Sequence, residues 1–87
     1  MQEFGRPASD AVEFRVTNDS DTAFDYAVGD RVFPLPPRVT RTHRQCRPPT
    51  VTLRFEENRG GPQTLRPRGG EHFVVEEQSG QFRVRHK

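Results

Sequence analysis

Hydrophobic and polar residues alternate over most of this 87-residue chain with a period of two. In residues 12–18, Val12, Phe14 and Val16 fall on one face, and polar residues fall on the other. Similar short stretches occur at 24–28, 32–35, 50–56, 63–65, 71–77 and 81–85. Apolar residues nowhere recur at helical spacing over three turns. The pattern therefore predicts seven or eight short strands and no long helix.

The clearest hairpin covers residues 24–37. Phe24, Tyr26 and Val28 alternate with other residues, and Gly29-Asp30 then turns the chain. Gly supplies the positive φ that tight hairpin turns require. The returning strand contains Val32, Phe33 and Leu35 and ends in prolines at 34, 36 and 37. Because proline donates no ladder hydrogen bond, this strand is expected to lie at a sheet edge or to end early.

The segment 39–46 is polar on both faces. A strand here would place Val39, Arg41, His43 and Gln45 on one side and Thr40, Thr42, Arg44 and Cys46 on the other. Charged strands next to prolines are typical of protected sheet edges. We therefore expect a second edge strand, which could accept a partner strand by β-augmentation.

Strands at a spacing of about 8–12 residues indicate a small antiparallel β-sandwich. The layout resembles an immunoglobulin-like or fibronectin-like sandwich in strand count and spacing alone. Residues 12–87 are predicted to form this single domain, and residues 1–11 a flexible N-terminal lead-in. Only 30% of the residues are hydrophobic, so the core is expected to be thin.

Composition limits the function only loosely. The net charge is +2, and the cations comprise 13 Arg and one Lys, a bias that fits either a GC-rich genome or anion recognition. A single cysteine excludes an internal disulfide. No apolar run reaches the roughly 18–20 residues of a membrane span, and no signal peptide is visible. The compartment stays open, with an extracytoplasmic location favoured over the cytoplasm.

The main candidate site is a run of arginines at every third position: Arg38, Arg41, Arg44 and Arg47, with His43 among them. A strand would divide these arginines between two faces, whereas polyproline II would align them. Guanidinium groups suit carboxylate and phosphate, so one hypothesis is an edge that binds an acidic polysaccharide, a phosphate-bearing ligand or an acidic protein. The alternative is a solvated edge that discourages aggregation.

Other chemistry has weaker support. A small metal-binding protein using His43, Cys46 and His72 is the alternative function, although no second ligand pair is present. The aspartates at 19, 21, 25 and 30 lack the EF-hand pattern. Nucleic acid is disfavoured because residues 38–49 contain no aromatic side chain for base stacking. No catalytic motif is found, and no cofactor is predicted.

The sequence thus predicts a non-enzymatic binding or accessory module. Its expected partner is a protein or an anionic glycan, met at the basic, proline-bounded edge 38–47. The predicted ligand-binding residues are Arg38, Arg41, His43, Arg44 and Arg47. A protein-binding role would be marked by an exposed apolar patch or an unpaired edge near Val32, Phe33 and Val39.

Overall fold

A computed structural model describes residues 12–45 and 49–87 of the chain. It contains eight strands and one 3-10 turn, Glu57–Arg59. The strands are β1 (Val12–Asn18), β2 (Phe24–Val28), β3 (Arg31–Leu35), β4 (Thr40–Gln45), β5 (Val51–Leu53), β6 (Gln63–Leu65), β7 (His72–Gln78) and β8 (Gln81–His86). The predicted all-β sandwich is confirmed. The predicted lead-in, Cys46 and Arg47 lie outside the described residues.

The strands form two four-stranded sheets, ordered β4-β1-β7-β8 and β3-β2-β5-β6. The chain changes sheet after β1, β3, β4 and β6, so neighbours in sequence often lie in different layers. Adjacent strands pair antiparallel except β1 and β7, which run parallel with Val16 opposite Phe73. Both β3 and β4 are edge strands, as the prolines and the polar pattern predicted. No helix in residues 12–45 or 49–87 is long and apolar enough to cross a membrane.

The core lies between the sheets and follows the alternation along each strand. In β1 and β2 every second residue is buried, and the intervening residues face solvent wholly or in part. Fully burying one such apolar side chain contributes about 1.5–3 kcal/mol. The core cluster comprises Val12, Phe14, Val16, Phe24, Tyr26, Val28, Leu35, Val51, Leu53, Phe55, Phe73, Val75 and Phe82.

The buried side chain of Asn18, at the end of β1, links the two sheets by hydrogen bonds. The Asn18 amide nitrogen donates to the carbonyls of Thr22 at 2.9 Å and Leu35 at 3.0 Å. Its Oδ1 accepts hydrogen bonds from the backbone N–H and the hydroxyl of Ser20. Asn18 is 0% exposed, and these four bonds satisfy its amide. The loop between β1 and β2 is therefore held against the end of β3.

Candidate functional site

The two edge strands β3 and β4 lie on the same side of the sandwich, one in each sheet. Their contact is visible in the rings of Phe33 and His43, whose centroids are 4.8 Å apart. Neither strand has a hydrogen-bonded neighbour on its outer edge in the described part of the chain. We call this surface the β3/β4 side. The sequence predicted an unpaired edge here, and the 51% exposure of Val32 adds an apolar feature.

His43 lies in the core and is not displayed on the β3/β4 side. Its side chain is buried, with a residue exposure of 9%. The imidazole stacks on Phe14 at 5.3 Å between centroids and lies 2.5 Å from the Tyr26 hydroxyl through Nε2. Burial lowers the pKa of His43, and the positive charge of Arg41 lowers it further. The predicted role of His43 as a displayed ligand-binding residue is thus at odds with its position.

Arg41 shares the inward face of β4 with His43 but reaches the surface in part. Its Nε is buried and has no hydrogen-bond partner. Within residues 12–45 and 49–87 its guanidinium makes no ion pair with a carboxylate. Its charge acts on the neighbouring phenol: burial raises the pKa of Tyr26 to about 12, and Arg41 opposes that rise. Arg41 is therefore a partly desolvated cation that has no counter-charge among the described residues.

Arg38 is already paired with acidic residues of the chain itself. Its guanidinium lies 2.7 Å from Asp19 and 2.9 Å from Asp21, both in the loop after β1. Hydrogen bonding to Asp21, followed by the charge of that carboxylate, raises the pKa of Arg38. Two of the four aspartates, Asp19 and Asp21, thus offset the charge of the first arginine of the run.

The backbone at Arg38 forms a β-bulge. The Arg38 N–H donates to the carbonyl of Asn18 at 2.7 Å, while the Asn18 N–H donates to the carbonyl of Val39 at 2.9 Å. Arg38 and Val39 thus stand opposite a single residue, Asn18. Arg38 has φ 65°, which lies in the left-handed region where glycine is preferred. The bulge begins β4 and orients the strand that follows.

Arg44 lies on the opposite face of β4 from Arg41. It is exposed and stands opposite Glu13 of β1 in the register, without an ion pair between them. Thr42, on the same outer face, stands opposite the exposed Arg15. The described arginines of the run are therefore divided between faces, as strand geometry requires. Arg47 lies outside the described residues.

The histidines of the alternative metal site do not converge. His72 lies on the outer face of its sheet, where its Nε2 is 2.6 Å from Thr17 Oγ1. His43 lies on the inner face of the same sheet, beyond β1. In the part of the chain that the structure describes, no group of three or more His, Cys, Asp or Glu side chains could hold a metal ion. Cys46 lies outside that part.

A groove of about 330 Å³, which the sequence pattern did not predict, lies between the start of β2, the end of β3, the segment after β5 and β8. Its floor is formed by the rings of Phe24, Phe55 and Phe82, which contact one another at 4.5–5.6 Å between centroids. The residues come from distant strands, so no local motif indicates the groove. Its rim carries two carboxylates and two guanidinium groups, those of Asp25, Glu56, Arg54 and Arg59. This balance selects no particular ligand charge.

No family model and no curated protein match the chain. Among solved structures, the chain is similar to the N-terminal domain of AlgF from P. aeruginosa. The TM-score is 0.53 at 14% sequence identity, and the match covers 90% of this chain and 94% of that one. An identity this low shows the fold alone. The chain is therefore a small two-sheet β-domain, and its site must be interpreted from its own residues.

Proposed function

We propose that this domain is a non-enzymatic binding module that holds an anionic partner, a protein segment or a glycan, along β4. The proposal rests on the burial of Arg41 and on its missing ion pair within residues 12–45 and 49–87. Its guanidinium is partly desolvated, its Nε has no partner, and no carboxylate of the described residues neutralises it. The buried Nε is out of reach of a ligand, but Arg41 reaches the surface in part. There an external carboxylate or phosphate would supply the counter-charge that the described residues do not provide.

Arg44 and Arg15 extend the positive charge onto the outer face beside β4. Charge-assisted hydrogen bonds from arginine are stronger than neutral ones, and planar guanidinium matches carboxylate and phosphate in two-point contacts. A partner that follows β4 would meet Arg41 on one face and Arg44 on the other. Arg47 comes two residues after the end of β4 in the sequence and stays part of the proposed site.

Arg38 is left out of the proposed site. Its two ion pairs occupy the guanidinium, and an incoming anion would have to compete with Asp19 and Asp21. It therefore provides a matched control: an arginine of the same run, three residues from Arg41, with its charge already neutralised.

The test is the binding of three polyanions, heparin, polygalacturonate and poly-glutamate, to the purified domain at low and high salt. We expect at least one to bind at low salt and to weaken as salt rises, because exposed ion pairs are screened. Arg41→Gln and Arg44→Gln should each weaken binding about three- to tenfold, and Arg38→Gln much less. If none of the three polyanions binds at low salt, the proposal is wrong.

A further inference from the structure

Within the part of the chain that the structure describes, the outer edge of β4 presents a regular row of backbone groups with no partner strand. β1 lies between β4 and β7, and its Arg15 N–H donates to Glu71 beside β7. Asn18 pairs instead with the start of β4. Because residues of an antiparallel ladder alternate in direction, Arg41, His43 and Gln45 bond towards β1. The alternate residues direct their N–H and C=O groups outward. These three residues are exposed: Thr40, Thr42 and Arg44.

The other three edges carry proline or a local contact. β3 contains Pro34, which has no N–H to offer, and β6 has three residues, with Pro62 and Pro67 close by. Beside β8 the turn after β5 packs on the backbone of Phe82. A Cβ at Gly60 would come within 3.5 Å of the Phe82 carbonyl oxygen. Within residues 12–45 and 49–87, β4 is thus a six-residue edge with neither proline nor a covering segment, whereas β8 is covered beside Phe82.

The side chains around this edge favour an acidic strand. Arg31, Arg41 and Arg44 make no ion pair with any described residue, and Arg31 lies over the Phe33 ring with Cζ 5.8 Å from its centroid. Half-buried Val39 and Phe33, which pack against the core, supply apolar contacts near these arginines. An extended polypeptide projects alternate side chains to opposite faces, so acidic residues could meet Arg41 and Arg44 from one strand.

We propose that an extended acidic segment of a partner protein adds to β4 as a fifth strand, extending the sheet to partner-β4-β1-β7-β8. This rests on the proposed function and names the partner class for the same site. The main-chain groups of Thr40, Thr42 and Arg44 supply the hydrogen bonds, and Arg41 and Arg44 select acidic side chains. A polypeptide backbone matches the repeat of donors and acceptors along the edge, which the hydroxyls and ring oxygens of a polysaccharide do not.

The first experiment is amide hydrogen exchange by NMR with a nine-residue probe peptide that carries glutamates on both faces, as adjacent pairs separated by threonine and valine. In the free domain the outward amides of Thr40, Thr42 and Arg44 should exchange fast, and those of Arg41 and His43 slowly. The peptide should slow exchange of the three outward amides about tenfold or more. Protection without peptide would mean that another part of this chain or a second copy occupies the edge, and would overturn the proposal.

A second experiment separates strand addition from plain charge attraction. The probe peptide is N-methylated at alternate residues in two versions that keep every carboxylate. The version that loses the N–H groups facing β4 should bind about tenfold more weakly, and the other should bind like the unmodified peptide. Equal binding by both versions would overturn strand addition while leaving the proposed anion binding intact.

The matching change in the domain is Thr42→Pro, with Thr42→Ala as control. Thr42 directs its N–H away from β1, so proline removes an outward donor without breaking the β1–β4 ladder. Thr42→Pro should abolish peptide binding but keep binding to heparin, whereas Thr42→Ala should keep both. If Thr42→Pro does not fold, the N-methylated peptides still decide the question. If the wild-type domain binds neither the polyanions nor the peptide, the proposed function itself is wrong.

Discussion

The hydroxyl of Tyr26 lies 2.5 Å from Nε2 of His43, and this hydrogen bond joins the two sheets of the sandwich. Tyr26 belongs to β2 and His43 to β4. With its pKa raised to about 12 by burial, the phenol stays protonated, and the lowered pKa of His43 favours an uncharged imidazole as its partner. The hydrogen bond gives the phenol and the imidazole Nε2 a partner in the apolar surroundings formed by Phe14 and Phe33. A histidine of a polar edge strand can therefore lie in the core.

Removing the hydroxyl should destabilise the domain. Tyr26→Phe leaves Nε2 of His43 buried without a partner, and we expect a loss of about 1–3 kcal/mol in the free energy of unfolding, measured with urea. His43→Phe and the double variant complete a double-mutant cycle. The sum of the losses in the two single variants should exceed the loss in the double variant. Simple additivity would mean that the bond contributes no coupling.

Acid should weaken the fold through His43. Its pKa is lowered in the folded state from an ordinary value of 6.5, so the unfolded chain takes up the proton more readily. Stability is then full above about pH 6.5 and falls as the pH drops below it towards the folded-state pKa. The slope from one group is at most about 1.4 kcal/mol per pH unit. Urea unfolding at several pH values should show it.

A control is needed because the pKa of His72 is also lowered, by burial and then by Lys87 and Arg15. His43→Phe should flatten the pH dependence in this window, and His72→Gln should flatten only the part due to His72. An unchanged pH profile in His43→Phe would contradict the assignment to His43.

Glycine should replace Arg38 better than alanine does. Both changes remove the ion pairs to Asp19 and Asp21, but only glycine adopts φ 65° without strain. We expect Arg38→Gly to be more stable than Arg38→Ala by about 1 kcal/mol in urea unfolding. Equal stability of the two variants would show that the bulge is not held in the left-handed conformation.

Truncation of Phe24 should be far more damaging than truncation of Phe33. Phe24 is buried against Phe55 and Phe82, so Phe24→Ala should cost about 3–5 kcal/mol, enough to unfold a domain of this size. Phe33 is half-buried on an edge strand, so Phe33→Ala should lower the free energy of unfolding by less. Thermal melting of both variants tests this, and a lower midpoint for Phe33→Ala than for Phe24→Ala would contradict it.

Asn18 should not tolerate aspartate, although the two side chains have the same shape. Asn18→Asp loses the donor bonds to the carbonyls of Thr22 and Leu35 and places a negative charge beside both oxygens. Each carbonyl left unsatisfied costs about 1–3 kcal/mol. In thermal melts at neutral pH, Asn18→Asp should unfold below Asn18→Ala. An aspartate variant as stable as the wild type would mean that these bonds are weak.

The strand pattern was predictable because it is local. Alternation in β1 and β2 identified their inward faces, and the prolines of β3 predicted an edge. The polar segment 39–46 also predicted an edge, and β4 is one. These inferences depend on the period of a strand and on the missing N–H of proline, which are properties of neighbouring residues.

The candidate site depended on contacts that no local pattern carries. Both faces of β4 are polar, so alternation could not tell which face is buried, and His43 was expected at the surface. Only the packing of β4 over β2 and β3 brings the phenol of Tyr26 to it. The pairing of Arg38 with Asp19 and Asp21 likewise depends on where β4 begins beside β1.

Strand periodicity and proline act within a few residues, so the residues alone predict an all-β sandwich, its hairpin and its two polar or proline-bearing edges. Three other features arise only when the chain folds: β7 lies parallel to β1, Asn18 is fully buried, and Arg41 has no counter-charge among the described residues. Those features depend on which distant strands become neighbours, and hence on which polar groups find a partner when water is excluded.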